Sequence, residues 1–138
     1  MTGSGYDCLL VYKMKTKIET TNAPKAVGPY SQAIADSNFV FASGQIPLNA
    51  AGKMLDGPIE EQVSQIMKNL GTVLESSGCL LKDVVKATIY LTDMADYAKV
   101  NDAYGSYFSE PFPAREAVCV KALPLGARVE ISVIAIRH

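Results

Sequence analysis

The chain has 138 residues, 49% hydrophobic and 20% charged, ordinary usage for one compact domain. Thirteen basic residues nearly balance fourteen acidic ones, leaving a formal charge of −1, which argues against a strong electrostatic grip on nucleic acid or anionic membranes. The sole histidine is the last residue, His138, so a His-rich metal site and a buried Ser-His-Asp relay are excluded.

No apolar run approaches the roughly 20 residues that span a bilayer. The cysteines, Cys8, Cys79 and Cys119, are odd in number and far apart. A disulfide framework is therefore not expected, and a reducing, cytoplasmic setting is, with an organellar one left open. Cys79 and Cys119 read as buried, inert thiols. No G-x-G-x-x-G, P-loop or G-x-S-x-G motif occurs.

In chain order, residues 1–13 read as a flexible extension, with Thr2-Gly3-Ser4-Gly5 its most pliable part. One domain is expected over 14–138. Lys15–Thr20 alternates weakly and suggests a first strand. Asn22-Ala23-Pro24 and Gly28-Pro29 mark a loop. Tyr30–Ile34 and Phe39–Ile46 read as two strands joined by a turn at Asp36-Ser37-Asn38. A helix follows, with Asp56 as its cap, Pro58 in its first turn and Gly78 as its stop. Its apolar stripe is Ile59, Val63, Ile66, Met67, Leu70, Val73 and Leu74.

Val84–Leu91 alternates with period two, as a strand does. Thr92 or Asp93 can cap a second helix from Met94 to Phe108, whose stripe is Tyr97, Val100, Tyr104 and Phe108. Strands are expected over Glu116–Ala122 and Arg128–Ile136. The order β-β-β-α-β-α-β-β predicts an α+β sandwich, a mixed sheet covered on one face by two helices. Val129, Ile131, Val133 and Ala135 share one side of the last strand, yet Ile134 and Ile136 lie on the other. The second face is therefore expected to pack on another copy of the chain.

Arg115 follows Phe112-Pro113-Ala114, a stiff strand entry. A guanidinium held there can clamp a carboxylate or make a structural ion pair. Glu130 sits in an otherwise apolar strand, where burial would raise its pKa and suit it to proton handling; an exposed edge position is the alternative. Tyr30, Ser43, Gly44 and Asn101 carry little signal individually.

Six segments sharpen this reading. Gly28-Pro29-Tyr30-Ser31-Gln32-Ala33, Ala42-Ser43-Gly44-Gln45-Ile46-Pro47, Val100-Asn101-Asp102-Ala103-Tyr104 and Phe112-Pro113-Ala114-Arg115 occur in order, followed by Ala122-Leu123-Pro124 and Val129-Glu130-Ile131. Together they resemble the RidA/YjgF (L-PSP) family of enamine/imine deaminases over roughly Lys15 to Arg137.

The resemblance implies a chorismate-mutase-like fold of the bacillus type and a homotrimer with clefts between subunits. It implies hydrolysis of 2-iminobutanoate and 2-iminopropanoate to 2-oxo acids and ammonia, with no metal and no cofactor. Arg115 would hold the substrate carboxylate and Glu130 would position a water. Tyr30, Ser43, Gly44 and Asn101 would line the cleft. Many bacterial members carry cysteine two residues after the arginine; here that residue is Ala117 and the thiol is Cys119. The alternatives are an endoribonuclease or translation inhibitor, labels long attached to the family, and a non-catalytic binder of small carboxylates. A membrane partner is not expected, and near-neutral charge disfavours nucleic acid.

Overall fold

The computed structural model describes residues 14–138; the extension expected over 1–13 lies outside them. Strands β1 (Thr16–Ile18), β2 (Ala33–Ala35), β3 (Phe39–Gln45), β4 (Val84–Leu91), β5 (Ala114–Cys119) and β6 (Val129–Ile136) form one sheet in the order β1-β2-β3-β6-β4-β5. Only the β4–β5 pair is parallel. Helices α1 (Ile59–Glu75) and α2 (Tyr97–Gly105) supply the other half of the core. The expected α+β element order is the observed one. No helix among the described residues is long and apolar enough to cross a membrane.

The stripe read from the sequence is the buried face of α1, each of its seven apolar residues at most 3% exposed. Truncating one of them, Leu70→Ala for example, costs about 2–5 kcal/mol in such a core. Asp56 does not cap this helix. Pro58 occupies the cap position with no side-chain bond, and Gln62 Nε2 donates to the Gly57 carbonyl instead. Gly78 ends the segment with φ +83°, a left-handed conformation that glycine adopts freely.

The Asp93 carboxylate accepts from the Ala95 amide at 2.9 Å, capping the short turn Met94–Asp96 that leads into α2. Arg128 reaches across from the start of β6 to Asp96 at 2.8 Å. α2 ends at Gly105 rather than Phe108, because the Tyr107 and Phe108 amides turn back to carbonyls only three residues earlier.

Three strands are shifted from expectation. The Gln32 side chain accepts from the Thr20 amide at 2.7 Å and donates to the Pro24 carbonyl at 2.8 Å. That clasp takes the backbone groups that would have extended β1 to Thr20, and it keeps 28–32 as a loop, so β2 starts only at Ala33. β5 begins at Ala114 because its partner is the parallel strand β4, in register from Lys86↔Ala114 to Leu91↔Cys119.

The two faces of the sheet differ sharply. Ala87, Ile89 and Leu91 of β4 and Val129, Ile131, Val133 and Ala135 of β6 point into the core. The opposite face is bare, with Phe41 46% and Ile136 43% exposed. Cross-strand pairs Ile34↔Phe41, Phe41↔Ile134 and Phe39↔Ile136 join these residues into an apolar ladder. Of the two thiols read as buried, Cys79 is, donating to the Ile136 carbonyl at 3.4 Å. Cys119 is exposed, because it ends the edge strand.

Candidate active site

Glu130 lies on the bare face, between the buried Val129 and Ile131 and opposite Tyr90 of β4. Beside it β3 carries a bulge, the register slipping between Ala42 and Gln45. Gly44 sits in that bulge. A Cβ there would stand 2.8 Å from Glu130 Cδ, so any larger residue would push aside the carboxylate that lies across its backbone. Burial pushes the Glu130 carboxyl above its ordinary value.

A recess of about 580 Å³ surrounds this carboxylate, lined by Tyr30, Ser43, Gly44, Lys25 and Leu125 among others. The Ser43 hydroxyl donates to the Ser31 carbonyl at 2.6 Å, and the Ser43 amide donates to the Gln32 carbonyl. Its role is to tie the 28–32 loop to β3. Tyr30 rides on that loop, half exposed, its hydroxyl accepting from the Val27 amide at 3.3 Å. Leu125 stands at the rim with φ 56°, a left-handed backbone rare for leucine. Nothing in the sequence around Pro124-Leu125-Gly126 marks that strain.

Arg115 pairs with Ala87, a core-side residue, and so lies on the helix-covered face. Its guanidinium is held between two tyrosines of α2. Nη2 donates to the Tyr97 hydroxyl at 3.0 Å, and Cζ lies 5.7 Å from the Tyr97 ring centroid and 5.8 Å from that of Tyr104. None of the ion pairs among the described residues involves Arg115. A recess of about 450 Å³ opens beside it, lined by Asn101, Asp102, Tyr104, Gly105, Phe112 and Pro113. Ala117 packs on the core, and Cys119 follows on the same face.

The residues singled out from the sequence thus fall into two sets. Tyr30, Ser43, Gly44 and Glu130 share one recess. Asn101 and Arg115 share another, and the sheet separates the two key groups within one chain. Sequence reading missed Tyr97 and Tyr104, which looked like core stripe. Their signal was the residue type: two phenols where leucine or phenylalanine would fill the same space.

Fold and site define a class: an α+β sheet-and-helix protein that presents, among the described residues, a guanidinium without an anionic partner on one face and a half-buried carboxylate on the other. The chain belongs to the family described as Endoribonuclease L-PSP, whose model matches residues 20–137, the same family as RidA/YjgF. It is 48% identical over 126 residues to a RutC family protein of Pyrococcus horikoshii, covering 91% of this chain and 100% of that one. It is 46% identical over 121 residues to the 2-iminobutanoate/2-iminopropanoate deaminase of Mus musculus, covering 87% and 90%. Among solved structures, that of E. coli TdcF with bound serine superimposes with a TM-score of 0.84 at 31% identity, covering 89% of this chain and 99% of that one. The fold is accordingly the chorismate-mutase-like sandwich of this family.

Proposed function

We propose that this protein hydrolyses reactive 2-imino acids, 2-iminobutanoate and 2-iminopropanoate among them, to 2-oxo acids and ammonia. The observation that carries this reading is a pair of groups unmatched among the described residues: a guanidinium with no anionic partner and a carboxylate with no cationic one. An imino acid matches both. Its carboxylate suits Arg115, and its C=N carbon is electrophilic enough for attack by a water that a carboxylate orients. The deaminase name of the mouse relative, and the serine in the TdcF structure, fit an amino-acid-sized substrate.

In this mechanism Glu130 accepts a proton from water as its oxygen bonds to the C=N carbon. With the imine nitrogen protonated, this gives a neutral carbinolamine; Glu130 returns the proton to that nitrogen, then takes the hydroxyl proton as the C–N bond breaks, so that the C=O bond forms and the nitrogen leaves as ammonia. Tyr30, Asn101 and the backbone at Ser43 and Gly44 shape the cleft. Burial raises the Glu130 carboxyl above its ordinary value, which lets it hold a proton more readily between transfers.

One chain separates the two groups by its own sheet, so the working site needs a second copy. The apolar ladder of Ile34, Phe39, Phe41, Ile134 and Ile136 is the surface for it, contiguous with the Glu130 strand. A closed homotrimer, each cleft using Arg115 of one subunit and Glu130 of the next, satisfies both requirements. The endoribonuclease reading fits less well: net charge is −1 and the one histidine, His138, is bonded to Asp83 at 2.7 Å.

The test couples a threonine dehydratase to oxo-acid and ammonia detection, with and without this protein. Faster imine decay that disappears with Arg115→Ala supports the proposal. An imine lifetime unchanged by the folded, assembled protein rejects it and leaves a carboxylate binder.

A further inference from the structure

Arg115 Nη2 is already engaged by Tyr97. Nη1 is buried and has no hydrogen-bond partner among the described residues. The Tyr104 hydroxyl is in the same condition, on a side chain only 4% exposed. Both side chains line the recess of about 450 Å³, and the guanidinium carbon lies 5.8 Å from the Tyr104 ring centre. Two buried unpartnered donors on neighbouring side chains are rare, because each carries an uncompensated desolvation cost. Phenylalanine would fill the same volume without it.

We propose that the Tyr104 hydroxyl is a second anion donor, receiving the substrate carboxylate together with Arg115 Nη1, while Tyr97 is the positioning residue that fixes the guanidinium from its other nitrogen. The assignment rests on the reading of Arg115 as a carboxylate clamp. Burial pushes the Tyr104 phenol above its ordinary value, more than the Arg115 charge pulls it down, so the hydroxyl keeps its proton to donate. One carboxylate then satisfies both orphans. The recess would favour small 2-oxo and 2-imino carboxylates over their amides, since an amide brings no charge to the guanidinium.

The test titrates 2-oxobutanoate, the stable product, into the assembled protein by calorimetry, with 2-oxobutanamide as the neutral control. Tyr104→Phe should weaken 2-oxobutanoate binding about tenfold while Tm stays level or rises, because the orphan hydroxyl is gone. Tyr97→Phe, which keeps the ring, should weaken it about threefold and raise KM with kcat little changed. Opposite signs for binding and stability in Tyr104→Phe are what a structural hydroxyl cannot produce. Parental binding in Tyr104→Phe, a lowered Tm or failure to fold in that variant, or no binding of 2-oxobutanoate by the parent would each overturn the assignment. If binding responds as expected but no imine is hydrolysed, the donor assignment stands and the deaminase proposal falls.

Discussion

The two recesses are built in opposite ways. The one around Arg115 is made from within: a strand entrance, two rings of α2 and a hydrogen bond at 3.0 Å hold the guanidinium before any ligand arrives. α2 is itself held by the Asp93 cap and the Arg128–Asp96 pair. The one around Glu130 is open on the bare face, bounded by a loop, a bulge and the exposed Leu125. On the proposed reading the first holds the substrate anion within a single chain, and the second is completed by a neighbouring copy. On that reading recognition is preorganised by the fold and proton handling is left to assembly.

The sharpest way to break this comparison is to remove one half at a time. Glu130→Gln should lower kcat by roughly 10²- to 10⁴-fold while leaving 2-oxobutanoate binding largely intact. Its effect on stability has a definite sign. The folded state holds the Glu130 proton more tightly than the unfolded chain does, so this group's contribution is greatest below its ordinary value and is lost as pH rises through the raised one. Thermal melts should therefore show Glu130→Gln at least as stable as the parent near neutrality. In the parent, kcat/KM should fall on the acid side with a limb above the ordinary carboxyl value of 4.5.

Arg115→Ala should instead abolish binding and lower kcat/KM roughly 30- to 4,000-fold, the cost of truncating one partner of a buried charge pair. Arg115→Lys should recover part of it, an ammonium lacking the planar fork. A folded, assembled Arg115→Ala with parental kinetics would end the account of that recess.

Phe41→Asp puts a charge in the apolar ladder without touching either recess. Its sedimentation mass should drop toward one chain and its turnover should fall with it, while 2-oxobutanoate binding persists at the Arg115 end. An unchanged mass would show that this face is not the interface. The smallest effect is expected from Gly44→Ala. The new methyl group displaces only the flexible end of Glu130, so Tm should hardly move, but turnover should drop on the order of tenfold as the carboxylate is re-aimed.

Much of this architecture was legible in the amino acids. The α1 stripe, the period-two run Val84–Leu91 and the Asp36 turn each declare themselves locally; the Asp36 carboxylate accepts from the Asn38 and Phe39 amides as a turn residue should. The misreadings came from long-range partners. Gln32 looked like one polar residue in a strand, and only its reach to Thr20 and Pro24 turns that stretch into a loop. Arg115 and Glu130 were legible as residues, but their faces were not. The face of Arg115 follows from the parallel register of β5 on β4, set by a crossover through α2. No local period encodes that register.

The measurement that bears most directly on the central claim mixes two inactive proteins. Arg115→Ala supplies intact Glu130 recesses and Glu130→Gln supplies intact Arg115 recesses. After unfolding and refolding together in equal amounts, random assembly into a ring should place both intact halves at about one site in four, restoring about a quarter of parental turnover. Turnover that stays at the level of the separate variants, in mixtures shown by mass to have exchanged subunits, would contradict a site shared between copies.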